Sequence, residues 1–346
     1  MKKVIPILCF IAVIGLVYTS VKDVIYNQFA DLEDTSLQMQ GLNMNPREVN
    51  RTIEDLKKRP TSFKDHVLLA AYYGDKQQNN TNKYALWLIK HYPAAPIFHD
   101  PEFVPPSHAQ EALWNKQLLK YPRNIKVMAN AASCLQLNDA SRSIAIYKKL
   151  MQLQPSNHKW PLDIARIIQY NVNPESGPSV ANANVAKHAL KYAQMSFNLA
   201  KSNEDKLDVI DQLMMDAYYS QNYPLANEYA LMVNKYIPSW DPISHNDVIY
   251  HSYMMQGLVA LRNKNISAAD HFLLKSGQTS GSAPLDSFGP NMMLAEQLLR
   301  NGQKAVVLQF LKECSTFWNA GPNPLQHWIT EVKQGKQPDF SMQDNY

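Results

Sequence analysis

Residues 124–155 read NIKVMANAASCLQLNDASRSIAIYKKLMQLQP, and their pattern decides the fold. Apolar residues recur at steps of three and four on either side of a short polar break at Asn138-Asp139, the period of two amphipathic helices joined by a tight turn. Small Ala131 stands in the middle of the first helix and Ser143 near the start of the second, where small side chains let paired helices approach closely. Tyr147, one turn later, fills the gap toward a following pair, and Pro155 stops the second helix.

The same grammar runs outward in both directions. Helical blocks are predicted at 63–74, 83–92, 108–121, 124–137, 140–153, 160–171, 182–201, 205–220, 223–236, 246–263, 266–276, 290–301 and 303–318, and no stretch alternates as a strand does. A frame of about 34 residues recurs at Lys206–Pro238, with Ala217, Ala226, Ala230 and the closing Tyr236-Ile237-Pro238. Gly257 precedes Ala269 by the same twelve residues that separate Ala131 from Ser143, and closing Tyr-Pro pairs stand at Tyr92-Pro93 and Tyr121-Pro122. Two stretches interrupt the frame, 171–185, rich in Pro, Ser, Asn and Gly, and a long loop over 277–290.

These residues resemble the tetratricopeptide repeat family over roughly 61–320. The resemblance implies an all-α superhelix of antiparallel helix pairs whose first helices line a concave, partner-binding surface. The segment Gly281–Pro290, with Phe317-Trp318 and Pro338-Asp339-Phe340, is similar to the ending of a group of uncharacterised bacterial repeat proteins, which brings no function with it.

The N-terminus carries a different signal. Lys2 and Lys3 precede Val4–Val21, eighteen residues without a charge, before Lys22 and Asp23 close the run. That length stands at the threshold for spanning a bilayer as a helix, and with a basic start the body is expected on the exported side of a bacterial inner membrane, facing the periplasm or the cell exterior. A cleaved secretory signal, with a secreted body, and a buried soluble helix are the alternatives. Residues 1–22 are therefore read as anchor or signal, 23–60 as a polar stalk holding one or two short helices and broken at Asn43, Asn45 and Pro46, 61–320 as the repeat domain, and 321–346 as a tail.

Composition narrows the function classes. Lys and Arg number 34 against 30 Asp and Glu, and a scattered net charge of +4 gives no footprint for nucleic acid. Cys9, Cys134 and Cys314 are too far apart to read as a metal or disulfide framework; Cys134 and Cys314 read as packed thiols, with pairing between them the alternative. No phosphate loop, nucleophile elbow or His-Glu-x-x-His helix occurs, and no cofactor is implied. His245 and His251 lie six residues apart, about 240° around a helix, and so do not readily share a metal.

An interaction scaffold that binds a protein or peptide fits this inventory. Its alternative is an all-helical enzyme of the α/α toroid type acting on carbohydrate or a cell-envelope polymer, which requires two carboxylates aimed into one cavity from different helices. In the repeat register, the concave face of one first helix carries Asp208, Asp211, Met215 and Tyr218, and that of the next carries His251, Met254 and Leu258. Such a groove has an acidic end and adaptable apolar contacts, suited to a peptide with basic and apolar residues. The competing reading assigns the apolar members to the core and the two aspartates to a solvated helix start.

Overall fold

A period of three and four residues can bury its apolar stripe only as helix on helix, and the structure, a computed structural model, does so along the chain. It describes residues 36–75, 83–100, 103, 107–172, 178–238, 245–318 and 324–340; among these every regular element is helical and none is a strand. No helix among the described residues is long and apolar enough to cross a membrane. The anchor or signal read at 1–22 lies outside them.

The chain forms two compact units, Met1–Leu153 and Gln154–Tyr346. Their boundary falls inside the stretch read as one repeat array, immediately before the helix-stopping Pro155.

The first unit holds a helical stretch at 36–42, α1 (Pro46–Lys58), α2 (Phe63–Asp75), α3 (Lys83–His91), a 3-10 turn (Pro96–His99), α4 (His108–Lys120), α5 (Ile125–Leu135) and α6 (Ala140–Leu153). Asn45-Pro46, read from sequence as a break, starts a helix instead. The Asn45 side chain accepts from the Arg47 and Glu48 amides, Glu48 reaches back to the Asn45 amide at 2.8 Å, and Pro46 occupies a first-turn position where its missing N–H costs nothing. Leu37 and Val49 are buried with the rest of the unit's core, so packing reaches well before residue 61. At the centre Phe98 and Trp114 meet edge to face at 5.1 Å. Asn130 of α5 donates to the Pro93 and Ala95 carbonyls at 2.9 and 2.8 Å, holding the Tyr-Pro turn against the helix.

The quoted hairpin is α5 and α6. Ala131 is fully buried, and the Ser143 hydroxyl donates to the Ala132 carbonyl at 2.7 Å, a bond that only a close helix pair permits. Ala131→Leu adds carbons where there is no room, and we expect it to lower stability by about 1–3 kcal/mol. Chemical denaturation of the two proteins measures this; equal midpoints would show that the seam is not closely packed there.

The second unit contains α7 (Lys159–Gln169), α8 (Val180–Leu199), α9 (Asn203–Tyr219), α10 (Tyr223–Tyr236), α11 (Asn246–Arg262), α12 (Ile266–Gly277), α13 (Ala283–Ser287), α14 (Met293–Arg300), α15 (Lys304–Cys314) and α16 (Leu325–Lys333). Each of α7/α8, α9/α10 and α11/α12 packs as a pair, and the first helices also touch one another, α7 on α9, α9 on α11 and α11 on α14. The turns repeat as well. Gln221 and Lys264 take left-handed φ values of 65° and 60°, while the amides of Asn222 and Asn265 bond back to Ala217 and Ala260, both at 2.9 Å. Gly302 stands in the same place after α14, with the Gln303 amide bonded to Leu298 at 3.0 Å.

Two expectations change here. The loop read over 277–290 contains α13, capped by Ser282, and the tail contains α16, whose Trp328, Ile329 and Val332 are buried together with Phe340. Cys134 and Cys314 are free, buried thiols; desolvation pushes Cys134 up to about 12 and Cys314 well above its ordinary value.

Candidate functional site

Helix α9 begins with a capping box in which Ser202 accepts from the Asp205 amide and Asp205 accepts from that of Ser202. Glu204 and Asp205 fill its first turn, where the helix dipole favours negative charge. Glu204, Asp208 and Asp211 follow at steps of four and three residues and therefore share one face.

That face is flanked by an arginine and histidines from the neighbouring first helices. Arg166 of α7 meets Asp208 at 2.6 Å. His245, capping α11, meets Glu204 at 3.3 Å, and His251 within α11 meets Asp211 at 2.9 Å. On the α7 side, His158 reaches Asp205 at 3.5 Å. Asp247 and Val248 of α11 and Gln212 of α9 complete an open cleft of about 270 Å³ whose floor includes Leu207. Four carboxylates, one guanidinium and His245 line it, which leaves three negative charges when that imidazole is neutral and two when it is protonated.

Burial alone presses His251 toward its neutral form, but the Asp211 carboxylate, its hydrogen bond and the charge of Asp247 outweigh this and raise the ring above its ordinary 6.5. Burial likewise opposes ionisation of Asp211, yet His251, the hydrogen bond and Arg166 hold its carboxyl below its ordinary 3.8. The pair thus stabilises the fold most when Asp211 is ionised and His251 protonated. Its contribution is lost as pH falls through the lowered carboxyl value, and lost as pH rises through the raised imidazole value. His251→Gln is expected to lower the melting temperature more at pH 5.5 than at pH 9; an equal loss at both would assign His251 a packing role only.

Beneath the cleft, Gln212 donates to Oδ1 of Asp216 at 2.9 Å. Asp216 is fully buried, and its Oδ2 meets no donor among the described residues. Desolvation, only partly opposed by the Gln212 bond, holds this carboxyl well above the usual range.

Of the seven residues singled out in the sequence, the structure brings Asp208 and Asp211 to this cleft and pairs His251 with Asp211 beside it. Met215 is half-buried against the core, while Tyr218, Met254 and Leu258 are at most 1% exposed. Those three therefore offer no surface to a partner. They lie on the sides of α9 and α11 that face neighbouring helices, where burying an apolar side chain is worth about 1.5–3 kcal/mol. Arg166, Glu204, His245, Gln212 and Asp247 were missed. Glu204 and Gln212 were readable, on the same helix as Asp208 and Asp211; Arg166, His245 and Asp247 come from α7 and the start of α11, whose nearness is a tertiary fact.

His245 and His251 face different carboxylates, and among the described residues no three His, Cys, Asp or Glu side chains are grouped to hold a metal. Carboxylates from α9 and α11 do share the cleft, but Asp211 is held ionised, the reverse of what a proton donor in glycoside cleavage requires. Matched against known protein families and curated proteins, the chain fits no family and shows no detectable relative.

Proposed function

We propose that this protein is a membrane-tethered, tetratricopeptide-like scaffold, its helix pairs forming a superhelix that binds a protein or peptide through the acidic cleft of α7, α9 and α11, without catalysis. The observation that carries this reading is the side-by-side placement of three first helices with four carboxylates around one open cleft. The favoured ligand presents a lysine or arginine side chain, which would compete with Arg166 and the histidines for those carboxylates. The uncharged run Val4–Val21 behind Lys2 and Lys3 supports the tether and an exported body, or a secreted one if the segment is cleaved.

The test is fluorescence anisotropy of the full chain in mild detergent with a labelled peptide alternating lysine and leucine, against the same peptide with glutamate for lysine. Asp208→Asn combined with Glu204→Gln, at two exposed acids, leaves the Asp211–His251 pair and its neighbour Asp247 intact. Asp208 is 48% exposed, so its ion pair is worth about 0–1 kcal/mol and folding should be unaffected. We expect the basic peptide alone to bind, and the double variant to bind about tenfold more weakly at an unchanged melting temperature. Equal binding of both peptides, or undiminished binding by the variant, rules the cleft out as the partner site.

A further inference from the structure

About 15 Å further along α9 from Asp208, at Tyr218, the charge on this unit reverses sign. A second pocket, of about 360 Å³, is bounded there by Arg262 at the end of α11, Lys264 in the following turn, and Gln297, Arg300 and Asn301 at the end of α14. No carboxylate lines it.

Arg262 is aimed rather than free to sweep. Its Nε and Nη2 donate to the Tyr218 hydroxyl at 3.3 and 3.2 Å, and its guanidinium lies 5.7 and 5.9 Å from the ring centres of Tyr218 and Tyr223. Tyr218 is itself fully buried, and Gln297 also donates to its hydroxyl at 3.4 Å. Among the described residues neither Arg262 nor Lys264 has a carboxylate within ion-pair distance, and Arg262 Nη1 has no acceptor. Arg300 is bound to Glu296 through one nitrogen only, at 2.7 Å. Lys264 is set at the rim by the left-handed turn that joins α11 to α12.

Cations in the last turn of a helix are favoured by its dipole, which accounts for finding one at each end. It does not account for a guanidinium tied to a buried tyrosine beside two further cations, with one carboxylate, Glu296 on Arg300, against the three positive charges. We propose that this pocket binds a phosphate group: Arg262 and Arg300 supply paired N–H donors, Lys264 a point charge, and the side-chain amides of Gln297 and Asn301 further polar contacts. Three cations match a phosphate monoester dianion better than a single carboxylate. The site stands independently of the acidic cleft and of whether that cleft takes a peptide.

The test titrates the full chain with sodium phosphate at constant ionic strength, following the heat and the arginine Nε–H resonances, with sodium chloride as control. Saturable binding that shifts the Arg262 resonance is expected, weakened about tenfold or more by Arg262→Gln and by Lys264→Asn. Asparagine tolerates the left-handed turn, so Lys264→Asn removes the charge without straining the backbone and keeps the test valid should Arg262→Gln fail to fold. A second arm uses vesicles of phosphatidylcholine with or without phosphatidic acid. Capture by the acidic vesicles that free phosphate reverses supports the pocket with a lipid headgroup as the source. No saturation by phosphate, binding unchanged in both variants, or an excess capture by the acidic over the neutral vesicles that free phosphate leaves intact overturns the proposal.

Discussion

Gly289→Ala is expected to be among the most damaging single-carbon additions in this protein. Gly289 has a φ of +87°, in the left-handed region that costs any other residue about 1–2 kcal/mol. A β-carbon there would stand 2.5 Å from Cε2 and Cζ2 of Trp318, well inside contact distance. Trp318 cannot swing aside, because it is 1% exposed and packed on Trp328 at 6.0 Å, which in turn meets Phe340 edge to face at 4.8 Å. Overpacking adds about 1–3 kcal/mol. Together these predict a fall in melting temperature of about 10 °C for a unit of this size. Gly335→Ala separates the two causes, since Gly335 has a similar φ of +78° and nothing within 4 Å of its would-be β-carbon. If the two variants lose equal stability, Trp318 gives way and the packing argument fails.

Asp216→Asn is expected to stabilise the protein at pH 8 and to leave it nearly unchanged at pH 4. A buried carboxyl held well above its ordinary 3.8 keeps its proton in the folded chain while the unfolded chain gives it up. Below the unfolded value both states are protonated and the residue costs nothing. As pH rises the unfolded state is increasingly favoured, until the folded carboxyl itself ionises; each unit of separation costs about 1.4 kcal/mol. Asparagine keeps the shape, and its carbonyl still accepts from Gln212, without that penalty. The measurement is denaturant unfolding of both proteins from pH 4 to 9. Parallel curves would mean that Asp216 reaches a counter-charge or water that stabilises its ionised form.

Much of this fold was legible because it is local. The helices at 140–153 and 223–236 match their sequence blocks end to end, since apolar spacing, Asn222 as cap and Pro155 as stop act within a few residues. Asn45-Pro46 misled because the same dipeptide that breaks a helix in its interior starts one at its N-terminus, and only Glu48 three residues on tells the two apart. Residues 325–333 were hidden for another reason. Their apolar positions, Leu325, Trp328, Ile329 and Val332, span barely two turns, and what makes them helical is a core supplied by distant residues.

The site divides along the same line. Three acids on one helix face can be read from spacing, whereas Arg166 and His245, 42 and 41 residues away from their partners, cannot. The spacing that places Tyr218 beside Asp211 on the outward stripe says nothing of Arg262, whose guanidinium occupies the surface above it. A β-carbon on Gly281 would stand 2.7 Å from Cβ of Phe317, and one on Gly289 would meet Trp318, so these scattered residues are one packing unit.

The turn shared by Gln221, Lys264 and Gly302 bears on how the second unit assembles. Each closes a hairpin through bonds spanning only a few residues, so the entropy lost on closure is small and no pair waits on a distant one to form. Closure over such short loops favours faster refolding than that of sheet proteins of like size. Residues 324–340 are the exception, because they dock on a core that earlier hairpins must first build. Their burial should be the last event in refolding, and Trp328 is a natural fluorophore with which to time it.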